Sequence, residues 1–333
     1  MSDPERQDEL ERFGYTVLPL FDAPVMAEVR RLSAELGPAP DDPQLALNWS
    51  FHSRSREHKG AVKALLPTVR PALDAAFEAH EVYLTTFITK WPGPHGAFPP
   101  HQDPTLVDER HHVGVTVWAP LEDVDADNGM LHVVPGSHRF SSALRVQDVD
   151  RSPFAGLEEV IVAEHGRGIP LSGGEALVFD NRLIHYSLPN TSGRPRVVLS
   201  FGLRPRAGRC VVVLPDGEGV VAIHEVHDDF YLDVLPARRD QWVPASDPVG
   251  RVPNPVESWD ATTFAALCAA VGPAPRTVVA RPASAVSAVI DTGVFCALCG
   301  SSEGLTEADR KGRTNAQLRC ARCERALVDH VEP

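Results

Sequence analysis

The sequence predicts a mainly β fold with flanking helices, an antiparallel barrel or jelly roll, followed by a small C-terminal zinc ribbon. Short apolar segments separated by turn residues recur between residues 82 and 214, and this spacing is typical of such barrels. Two CxxC pairs near the C-terminus indicate the ribbon. With 333 residues, the chain is long enough for one large core and a small appendage.

Two helical regions are predicted before the barrel. Phe13–Leu18 has the pattern of a short strand, after which Asp22 can cap a helix that has Pro24 in its first turn and ends at Gly37. A second helical stretch is predicted over residues 60–80, where apolar residues recur at helical spacing and two prolines can break the helix. Both helical regions would pack outside the barrel.

From residue 82 onward, the apolar pattern acquires the period of β-strands. Valine alternates with glycine, threonine and tryptophan over Val113–Trp118, which places the valines on one face of a strand. The other predicted strands cover residues 81–90, 130–134, 159–163, 176–179, 197–203 and 210–214.

Composition divides the chain into three parts. We expect a barrel domain over residues 1–240, a linker with a short helix over residues 241–290, and a zinc-ribbon-like domain over residues 291–333. The linker is rich in proline, serine, aspartate and alanine, and its helix is predicted over Asp260–Val271.

The formal net charge of −13 argues against general binding to nucleic acids or anionic membranes, because both partners need a basic face. The N-terminal residues lack the basic and apolar regions of a signal peptide, and no apolar run is long enough to span a membrane. Four of the 6 cysteines occur in CxxC pairs, which favours a reducing compartment and metal binding over disulfides. We therefore expect a cytoplasmic protein.

The candidate chemistry depends on His101 and Asp103 in one short string and on His185 much later in the chain. Two imidazoles and one carboxylate on one side of a metal leave its opposite side open. Non-haem Fe(II) oxygenases need this arrangement, because the open positions take a co-substrate and dioxygen. We therefore expect these three residues to converge on one iron ion.

A His-x-Asp pattern alone is weak, because a chain with 14 histidines supplies a second one at His227 and Asp229. The first pair lies in the loop Pro99–Pro104 between two predicted strands. In a jelly roll, the turn and strand of Gly173–Asp180 would then return the chain to the same barrel mouth, just before His185. The second pair has no comparable strand and distal histidine after it, and we discount it as a metal site.

A series of short motifs runs through the barrel region: His101-Gln102-Asp103, Trp118–Asp123 with Asn128–Leu131, Val134–His138, and His185–Asn190 followed by Arg194–Arg196. These motifs make residues 10–235 similar to the phytanoyl-CoA dioxygenase family of Fe(II)/2-oxoglutarate oxygenases. The resemblance implies a double-stranded β-helix with Fe(II) held by His101, Asp103 and His185. It also implies that 2-oxoglutarate and O₂ give succinate and CO₂ while a C–H bond of a small organic molecule is hydroxylated.

The distal carboxylate of 2-oxoglutarate lies deep in such a barrel and needs a forked cation. Arg196 matches the carboxylate-binding arginine of the family, and Arg194, on the same face of an extended strand, is its rival. Ser187 matches a family hydroxyl that helps to hold the same carboxylate. Trp118 matches an aromatic wall of the pocket and is equally compatible with a core position, and Thr86 is a further candidate.

Asp103 also bears on the outcome of the reaction. Halogenases related to the family replace this carboxylate with a small residue so that chloride binds the metal, and its presence here favours hydroxylation over chlorination. Desaturation, ring closure and epimerisation use the same centre and stay open. Segments that face the substrate are predicted at residues 48–52, 92–99 and 140–156.

The two CxxC pairs near the C-terminus predict a structural zinc site. Four thiolates close a tetrahedron with no open position, and a tail this short cannot bury enough apolar surface unaided. The thiolates come from Cys296, Cys299, Cys320 and Cys323. The balanced charge of this tail favours docking of a protein partner or packing over nucleic-acid binding. Cys210 and Cys268 are predicted to be buried small hydrophobic residues.

Two other functional interpretations compete with an oxygenase. The first is a catalytically inactive metal-binding barrel that acts as an adaptor through its zinc ribbon. Arg196 and Ser187 argue against it, because an adaptor has no use for a carboxylate-binding pocket beside the iron. The second is a cupin-type dioxygenase that works without 2-oxoglutarate. This interpretation predicts more metal-binding histidines around the barrel and no matching arginine.

Overall fold

The computed structural model describes residues 1–38, 46–93, 96–146, 153–233, 244, 246–255, 258–275 and 278–279. The four cysteines predicted to bind zinc, Cys296, Cys299, Cys320 and Cys323, lie outside the described residues. The zinc ribbon therefore stays a prediction.

The helices are short and begin at capping residues where the sequence provides them. The Asp22 carboxylate accepts a hydrogen bond from the backbone N–H of Val25, which confirms the predicted start of the second helix. The helices are α1 (Pro4–Phe13), α2 (Ala23–Leu36), α3 (Arg56–Lys63), α4 (Leu66–Ala76), α5 (Glu158–Val160), α6 (Phe230–Asp233) and α7 (Ala261–Ala269). Short 3-10 turns cover Ser50–His52 and Ser137–Arg139, and a π-helical turn covers Ile161–His165.

The strands occupy most of the chain between residues 80 and 226. They are β1 (Tyr15–Pro19), β2 (Leu47–Trp49), β3 (His80–Lys90), β4 (Phe98–His101), β5 (Val115–Pro120), β6 (Leu131–Val133), β7 (Arg167–Gly168), β8 (Glu175–Asp180), β9 (His185–Ser187), β10 (Arg196–Pro205), β11 (Cys210–Pro215), β12 (Val220–Val226), β13 (Gly250–Pro253) and β14 (Val278–Val279).

Within the described part of the chain, the strands form three antiparallel sheets. A six-stranded sheet has the order β1-β8-β5-β10-β3-β2, and a five-stranded sheet has the order β14-β7-β6-β9-β4. A smaller sheet, β11-β12-β13, is separate from both. The prediction of a mainly β fold with flanking helices is confirmed.

The alternation of side chains along the strands produces two cores on the two faces of the six-stranded sheet. On one face, Val117 and Leu199 pack with Val29 of α2 and Val69 of α4. On the other face, which we call the inner face, residues such as Leu177 pack against the five-stranded sheet. The side chains that form the candidate site lie on this side, between the two sheets. The five-stranded sheet is covered on its outer face by a third cluster.

The predicted strand over residues 159–163 is wrong, because these residues are helical. The β-branched residues Val160, Ile161 and Val162 favour a strand locally. The turn instead buries Ile161 and Val162 beside Phe264 of α7. Tertiary packing therefore overrides the local preference. The single helical stretch predicted over residues 60–80 is also divided, into α3 and α4, and β3 already begins at His80.

The region predicted as a linker contributes to the packing of the protein. β13 pairs with β12, and β14 pairs with β7. Trp259 and Phe264 are buried in one cluster with Tyr186 of β9. The helix predicted over Asp260–Val271 is observed as α7, which Asp260 caps. The domain boundaries near residues 240 and 290 stay predictions, whereas described residues between them pair with β12 and β7 and pack on the five-stranded sheet.

Cys210 lies in β11 and is buried, and Cys268 lies in α7 and is partly buried, as their sequence contexts predict. Burial raises the pKa of the Cys210 thiol to about 12 and that of Cys268 to about 11. Among the described residues, no helix combines the length and the apolar character needed to cross a membrane.

Candidate metal and co-substrate site

Two strands of the five-stranded sheet bring the three predicted iron ligands together. β4 ends at His101 and pairs with β9, which begins at His185, so the two histidines lie directly opposite each other. Their ring centroids are 4.1 Å apart. Asp103 follows two residues after β4, and its Oδ1 lies 3.8 Å from Nε2 of His185. One ligand atom from each of the three residues lies within 4.8 Å of the other two.

Backbone carbonyl groups orient both imidazole rings. Nδ1 of His101 lies 2.9 Å from the carbonyl oxygen of Pro99, and Nδ1 of His185 lies 2.9 Å from that of Leu183. These contacts make Nδ1 the protonated nitrogen and leave Nε2 as the metal-binding nitrogen. Burial, and then the neighbouring His185, lower the pKa of His101 well below its usual value. A neutral imidazole is the form that binds a metal ion.

The donor set of two imidazole nitrogens and one carboxylate oxygen fits Fe(II) with open coordination positions. No fourth histidine, cysteine, aspartate or glutamate joins this group within the described residues. The cupin-type alternative, which predicts more metal-binding histidines, is therefore not favoured by the described part of the chain.

A second group of polar side chains, which we call the cation pocket, consists of Lys90, Ser187 and Arg196 with Trp118. Lys90 of β3 lies directly opposite Arg196 of β10 in the six-stranded sheet. Both side chains are buried: Lys90 has no exposed surface, and Arg196 is 3% exposed. Like charges at opposed positions of a sheet repel each other, so this pair is unfavourable unless an anion lies between them.

The hydrogen bonds of the cation pocket leave capacity on the arginine. Nζ of Lys90 donates to Oγ of Ser187 at 2.6 Å and to the carbonyl oxygen of Leu188 at 2.7 Å. Nη2 of Arg196 donates to the carbonyl oxygen of Gly129 at 3.2 Å. Nε and Nη1 of Arg196 are buried and have no hydrogen-bond partner within the described residues. Nη2 keeps a second N–H, which forms a fork with either Nε or Nη1, and each such fork matches the two oxygens of a carboxylate.

No carboxylate pairs with Lys90 or Arg196 in the part of the chain that the structure describes. Burial, and then the charge of Arg196, lower the pKa of Lys90 well below its usual value. Burial also lowers the pKa of Arg196 to about 9. The two cations therefore lack a counter-charge, and a dicarboxylate such as 2-oxoglutarate would supply one.

The cation pocket lies close to the metal ligands along β9, and two contacts within the pocket shape it. His185 and Ser187 are two residues apart on β9 and therefore face the same side of the sheet, about 7 Å apart along the strand. Gly129, with a positive φ of 77°, lets its backbone lie against the Lys90 side chain, because a Cβ there would lie 2.7 Å from Cδ of Lys90. The indole of Trp118 covers the Arg196 guanidinium, whose Cζ is 5.0 Å from the ring centroid.

Of the five residues predicted to bind the co-substrate, Arg196, Ser187 and Trp118 come together and two do not. Arg194 is exposed on the loop before β10. The hydroxyl of Thr86 lies 3.0 Å from Oγ of Ser50 and accepts a hydrogen bond from the backbone N–H of Phe51 at 3.0 Å. Thr86 therefore anchors the turn Ser50–His52 to β3 instead of joining the cation pocket.

Lys90 is the residue of the cation pocket that sequence reasoning missed. Its signal was present in the alternation of β3, which places Lys90 on the same face as Ile88. Ile88 packs on the core between the two large sheets. A lysine that continues an inward-facing series is unusual, because lysine is almost never fully buried without a partner.

Comparison with known proteins adds a family assignment. A sequence model of phytanoyl-CoA dioxygenase (PhyH) matches residues 10–198, more than half of the chain. Phytanoyl-CoA dioxygenase domain-containing protein 1 of Danio rerio is 32% identical over 122 residues, which are 34% of this chain and 42% of that protein. The protein of the same name from Bos taurus is 29% identical over 169 residues, which are 49% of this chain and 55% of that protein. The chain thus matches about half the length of these relatives.

Solved structures resemble the chain at lower identity. The epimerase SnoN from nogalamycin biosynthesis, described as non-heme and alpha ketoglutarate dependent, has a TM-score of 0.50 and 19% identity, over 74% of this chain and 92% of that chain. EvdO2 from Micromonospora carbonacea var. aurantiaca, solved with 2-oxoglutarate, has a TM-score of 0.46 and 22% identity, over 65% of this chain and 94% of that chain. The similarity to SnoN indicates a shared fold and carries no statement about activity.

Proposed function

This chain belongs to the phytanoyl-CoA dioxygenase (PhyH) family, and on that premise we propose that it is an Fe(II)- and 2-oxoglutarate-dependent dioxygenase with a double-stranded β-helix fold. The reaction hydroxylates a C–H bond of a small organic molecule and converts 2-oxoglutarate and O₂ to succinate and CO₂. His101, Asp103 and His185 would hold the iron ion. Arg196, Lys90 and Ser187 would hold the distal carboxylate of 2-oxoglutarate.

One observation carries this proposal: two buried cations, which have no counter-charge among the described residues, lie beside three convergent metal ligands. Each buried unpaired cation destabilises the fold by several kcal/mol, and a protein that never binds an anion there has no reason to keep both. This pairing of sites argues against the inactive adaptor, because an adaptor would use neither the open side of the metal nor the cation pocket.

The residues of the chain have distinct tasks in the proposed reaction. The bound Fe(II) ion supplies the oxidative chemistry, through its open coordination positions. Arg196 and Lys90 orient 2-oxoglutarate by fixing the end of the molecule that does not react. Trp118 excludes water from the guanidinium, which strengthens its hydrogen bonds to a carboxylate. The backbone carbonyl groups of Pro99 and Leu183 keep the two imidazoles in the metal-binding tautomer.

Aromatic side chains next to His101 indicate what part of the substrate comes near the metal. The ring of Phe98 packs edge-on against His101 with centroids 4.3 Å apart, and Trp49 packs edge-on against Phe98 at 5.2 Å. Both Trp49 and Phe98 are half-buried, so part of each ring is accessible. Such a wall favours an apolar portion of a substrate, which is where an unactivated C–H bond lies.

The test is an anaerobic titration of the full chain with Fe(II) and 2-oxoglutarate. We expect the weak visible charge-transfer band of a bidentate keto acid on iron, followed by release of succinate when O₂ is admitted. A wild-type chain that gives neither the band nor succinate at saturating ligand would contradict the proposal. Succinate release across a panel of small molecules then identifies the substrate, and the mass change of the product distinguishes hydroxylation from desaturation, ring closure and epimerisation.

The C-terminal cysteines extend the proposal to a structural zinc ion bound by four thiolates. Their spacing in two CxxC pairs supports it. We expect one zinc per chain after removal of the iron, and a variant with Cys320→Ser and Cys323→Ser should lose it. A zinc content that is unchanged in this double variant would contradict the ribbon. A protein partner of the ribbon is part of the same proposal.

A further inference from the structure

The two carboxylate oxygens of Asp103 have different surroundings. Oδ1 lies 3.8 Å from Nε2 of His185, on the side where the ligand atoms converge. Oδ2 faces β5 and accepts a hydrogen bond from Oγ1 of Thr116 at 3.0 Å. One oxygen is therefore directed toward the metal position, and the other is held by a hydroxyl group of the protein.

The hydroxyl group of Thr116 belongs to a longer chain of hydrogen bonds. Oγ1 of Thr116 also lies 3.1 Å from Oδ1 of Asn181, and Nδ2 of Asn181 lies 3.3 Å from the hydroxyl oxygen of Tyr83. Asn181 is 1% exposed. A carboxylate, two hydroxyl groups and one amide thus lie in series from the metal position to the interior of the protein.

Donor counting assigns a direction to this series. Thr116 has one hydroxyl proton but faces two acceptors, Oδ2 of Asp103 and Oδ1 of Asn181. Turning the Asn181 amide end for end removes this conflict, since the two ends of an amide have the same shape. Tyr83 then donates to the Asn181 oxygen, Asn181 donates to the Thr116 oxygen, and Thr116 donates to Asp103. Each of the three donors then has one acceptor, and no proton is shared between two acceptors.

Tyr83 is suited to be the first donor of the series. Burial raises the pKa of its hydroxyl group, so the phenol stays protonated. Gly202 of β10 makes room for the ring, because a Cβ there would lie 2.5 Å from Cζ of Tyr83. Gly114 does the same for Asn181, with a Cβ position 2.8 Å from Nδ2. The backbone therefore accommodates both side chains at short range.

The backbone of Asp103 is held as firmly as its side chain. The Asp103 N–H donates to the carbonyl oxygen of Asn181 at 3.0 Å. Nε of Arg145 donates to the Asp103 carbonyl oxygen at 2.6 Å, and the guanidinium of Arg145 also pairs with Glu109. Asn181 thus contacts Asp103 directly through its backbone and indirectly through Thr116.

We propose that Tyr83, Asn181 and Thr116 form a directional hydrogen-bond relay that occupies Oδ2 of Asp103 and keeps this carboxylate a ligand through Oδ1 alone. The three are positioning residues for the metal centre, and the inference rests on the proposed function. A carboxylate bound through one oxygen leaves one more coordination position open than a bidentate carboxylate does. A co-substrate that binds through two oxygens, together with dioxygen, needs that position.

The decisive comparison uses two threonine-to-valine substitutions in the six-stranded sheet, one on β5 and one on β3. Thr116→Val removes the last donor of the relay, and we expect the affinity for Fe(II), titrated anaerobically, to fall about 10- to 100-fold. Thr116→Ser keeps the hydroxyl group and should bind Fe(II) as tightly as wild type. Thr85→Val is the matched control, because the buried Oγ1 of Thr85 has no partner in the described residues. Its Fe(II) affinity should equal that of wild type.

Two further measurements separate positioning from general damage to the fold. Tyr83→Phe removes the first donor, and we expect a smaller loss of Fe(II) affinity, about threefold, with nearly unchanged thermal unfolding. The visible spectrum of bound Co(II) should change in Thr116→Val but not in Thr85→Val, because a carboxylate free to bind through both oxygens alters the coordination geometry.

The relay is wrong if Thr116→Val and Tyr83→Phe both bind Fe(II) as tightly as wild type, or if Thr116→Ser is as weak as Thr116→Val. Should Thr116→Val fail to fold, the Tyr83→Phe titration decides alone. Failure of the proposed function has a different signature, because the wild-type chain itself would then bind no Fe(II) and give no charge-transfer band with 2-oxoglutarate.

Discussion

The chain contains the His-x-Asp pattern twice, and the two copies have opposite environments. His101 and Asp103 converge with His185, and their segment runs from the end of β4 toward β5. His227 and Asp229 follow β12 and are exposed. Asp229 forms an ion pair with Lys63 of α3. The same pattern therefore produces a candidate metal site once and a surface ion pair once.

The difference between the two copies comes from what surrounds them. The first copy has a third ligand directly opposite on a paired strand, and backbone carbonyl groups orient its imidazoles. In the second copy, the intervening carboxylate of Asp228 pairs with the guanidinium of Arg204. A local motif becomes a metal site only where the fold supplies the remaining ligand and excludes competing cations.

Removing the acid from each copy should produce the largest contrast. Asp103→Ala deletes one of three iron ligands, and we expect Fe(II)-dependent succinate release to fall at least about 1,000-fold. Asp229→Ala removes only an exposed ion pair worth about 0–1 kcal/mol. Its succinate release should equal that of wild type. Equal activity of Asp103→Ala and Asp229→Ala would remove the distinction between the two copies.

A pair of arginine variants tests the cation pocket beside the first copy. Arg196→Leu removes the forked donor, and we expect the KM for 2-oxoglutarate to rise about 100-fold, as loss of a charged bidentate pair implies. Arg194→Leu changes an exposed side chain two residues away and should leave this KM unchanged. Arg196→Lys keeps the charge without the fork and should lie between the two. The opposite ranking of Arg196→Leu and Arg194→Leu would identify Arg194 as the ligand.

The unbalanced charge of the cation pocket predicts a thermal effect of the co-substrate. With Ni(II) as a redox-inert metal, 2-oxoglutarate at about 100 times its Kd should stabilise the chain by about 2.7 kcal/mol and raise Tm by about 5–10 °C. Lys90→Met should reduce this rise by at least about half, since one of the two cations that bind the carboxylate is lost.

The unliganded Lys90→Met protein provides the control for this experiment. It should melt no lower than wild type, because the substitution removes one of two opposed buried charges. A variant that melts several degrees lower while keeping the full response to 2-oxoglutarate would assign Lys90 a purely structural role.

The smallest effect concerns a buried histidine outside the metal site, in contrast with exposed His227. His132 is 1% exposed and stacks on Tyr186, and burial lowers its pKa from 6.5 to about 4. The unfolded chain binds the His132 proton more tightly than the folded chain does. The free energy of unfolding is therefore at its full value above the unfolded pKa of His132, and it falls as the pH drops toward the folded pKa.

Replacement of this histidine isolates its contribution. Between about pH 7 and pH 5, the metal-free wild type should lose about 2 kcal/mol more unfolding free energy than His132→Phe, measured by urea denaturation. The phenyl ring keeps the stack on Tyr186. His227→Phe is the exposed control and should retain the pH dependence of wild type. Identical pH profiles of wild type and His132→Phe would mean that His132 is not held neutral by burial.

Much of the candidate site could be predicted because its residues lie in short strings with recognisable strand contexts. The positions of His101, Asp103 and His185 follow from two motifs and the strand pattern between them. Arg196 and Ser187 follow from a family resemblance. The relay could not be predicted, because Tyr83, Asn181 and Thr116 come from three separate segments and no local pattern marks their contact.

The errors also have a physical cause. The segment Glu159–Ala163 has strand-forming residues, yet it is helical because the outer face of the five-stranded sheet and α7 bury Ile161 and Val162. Thr86 has the right residue type for the pocket, but its hydroxyl group holds the turn at Ser50. Both outcomes depend on partners that are distant in sequence.

The sequence by itself determined the mainly β class, the capped helix α2 and the identity of the candidate metal ligands. These features depend on periodicity, capping and residue chemistry, which act over a few neighbouring positions. The tertiary structure decided which arginine is buried and that Lys90 lies opposite Arg196. These features depend on strand register, because pairing across a sheet joins residues that are far apart in the chain.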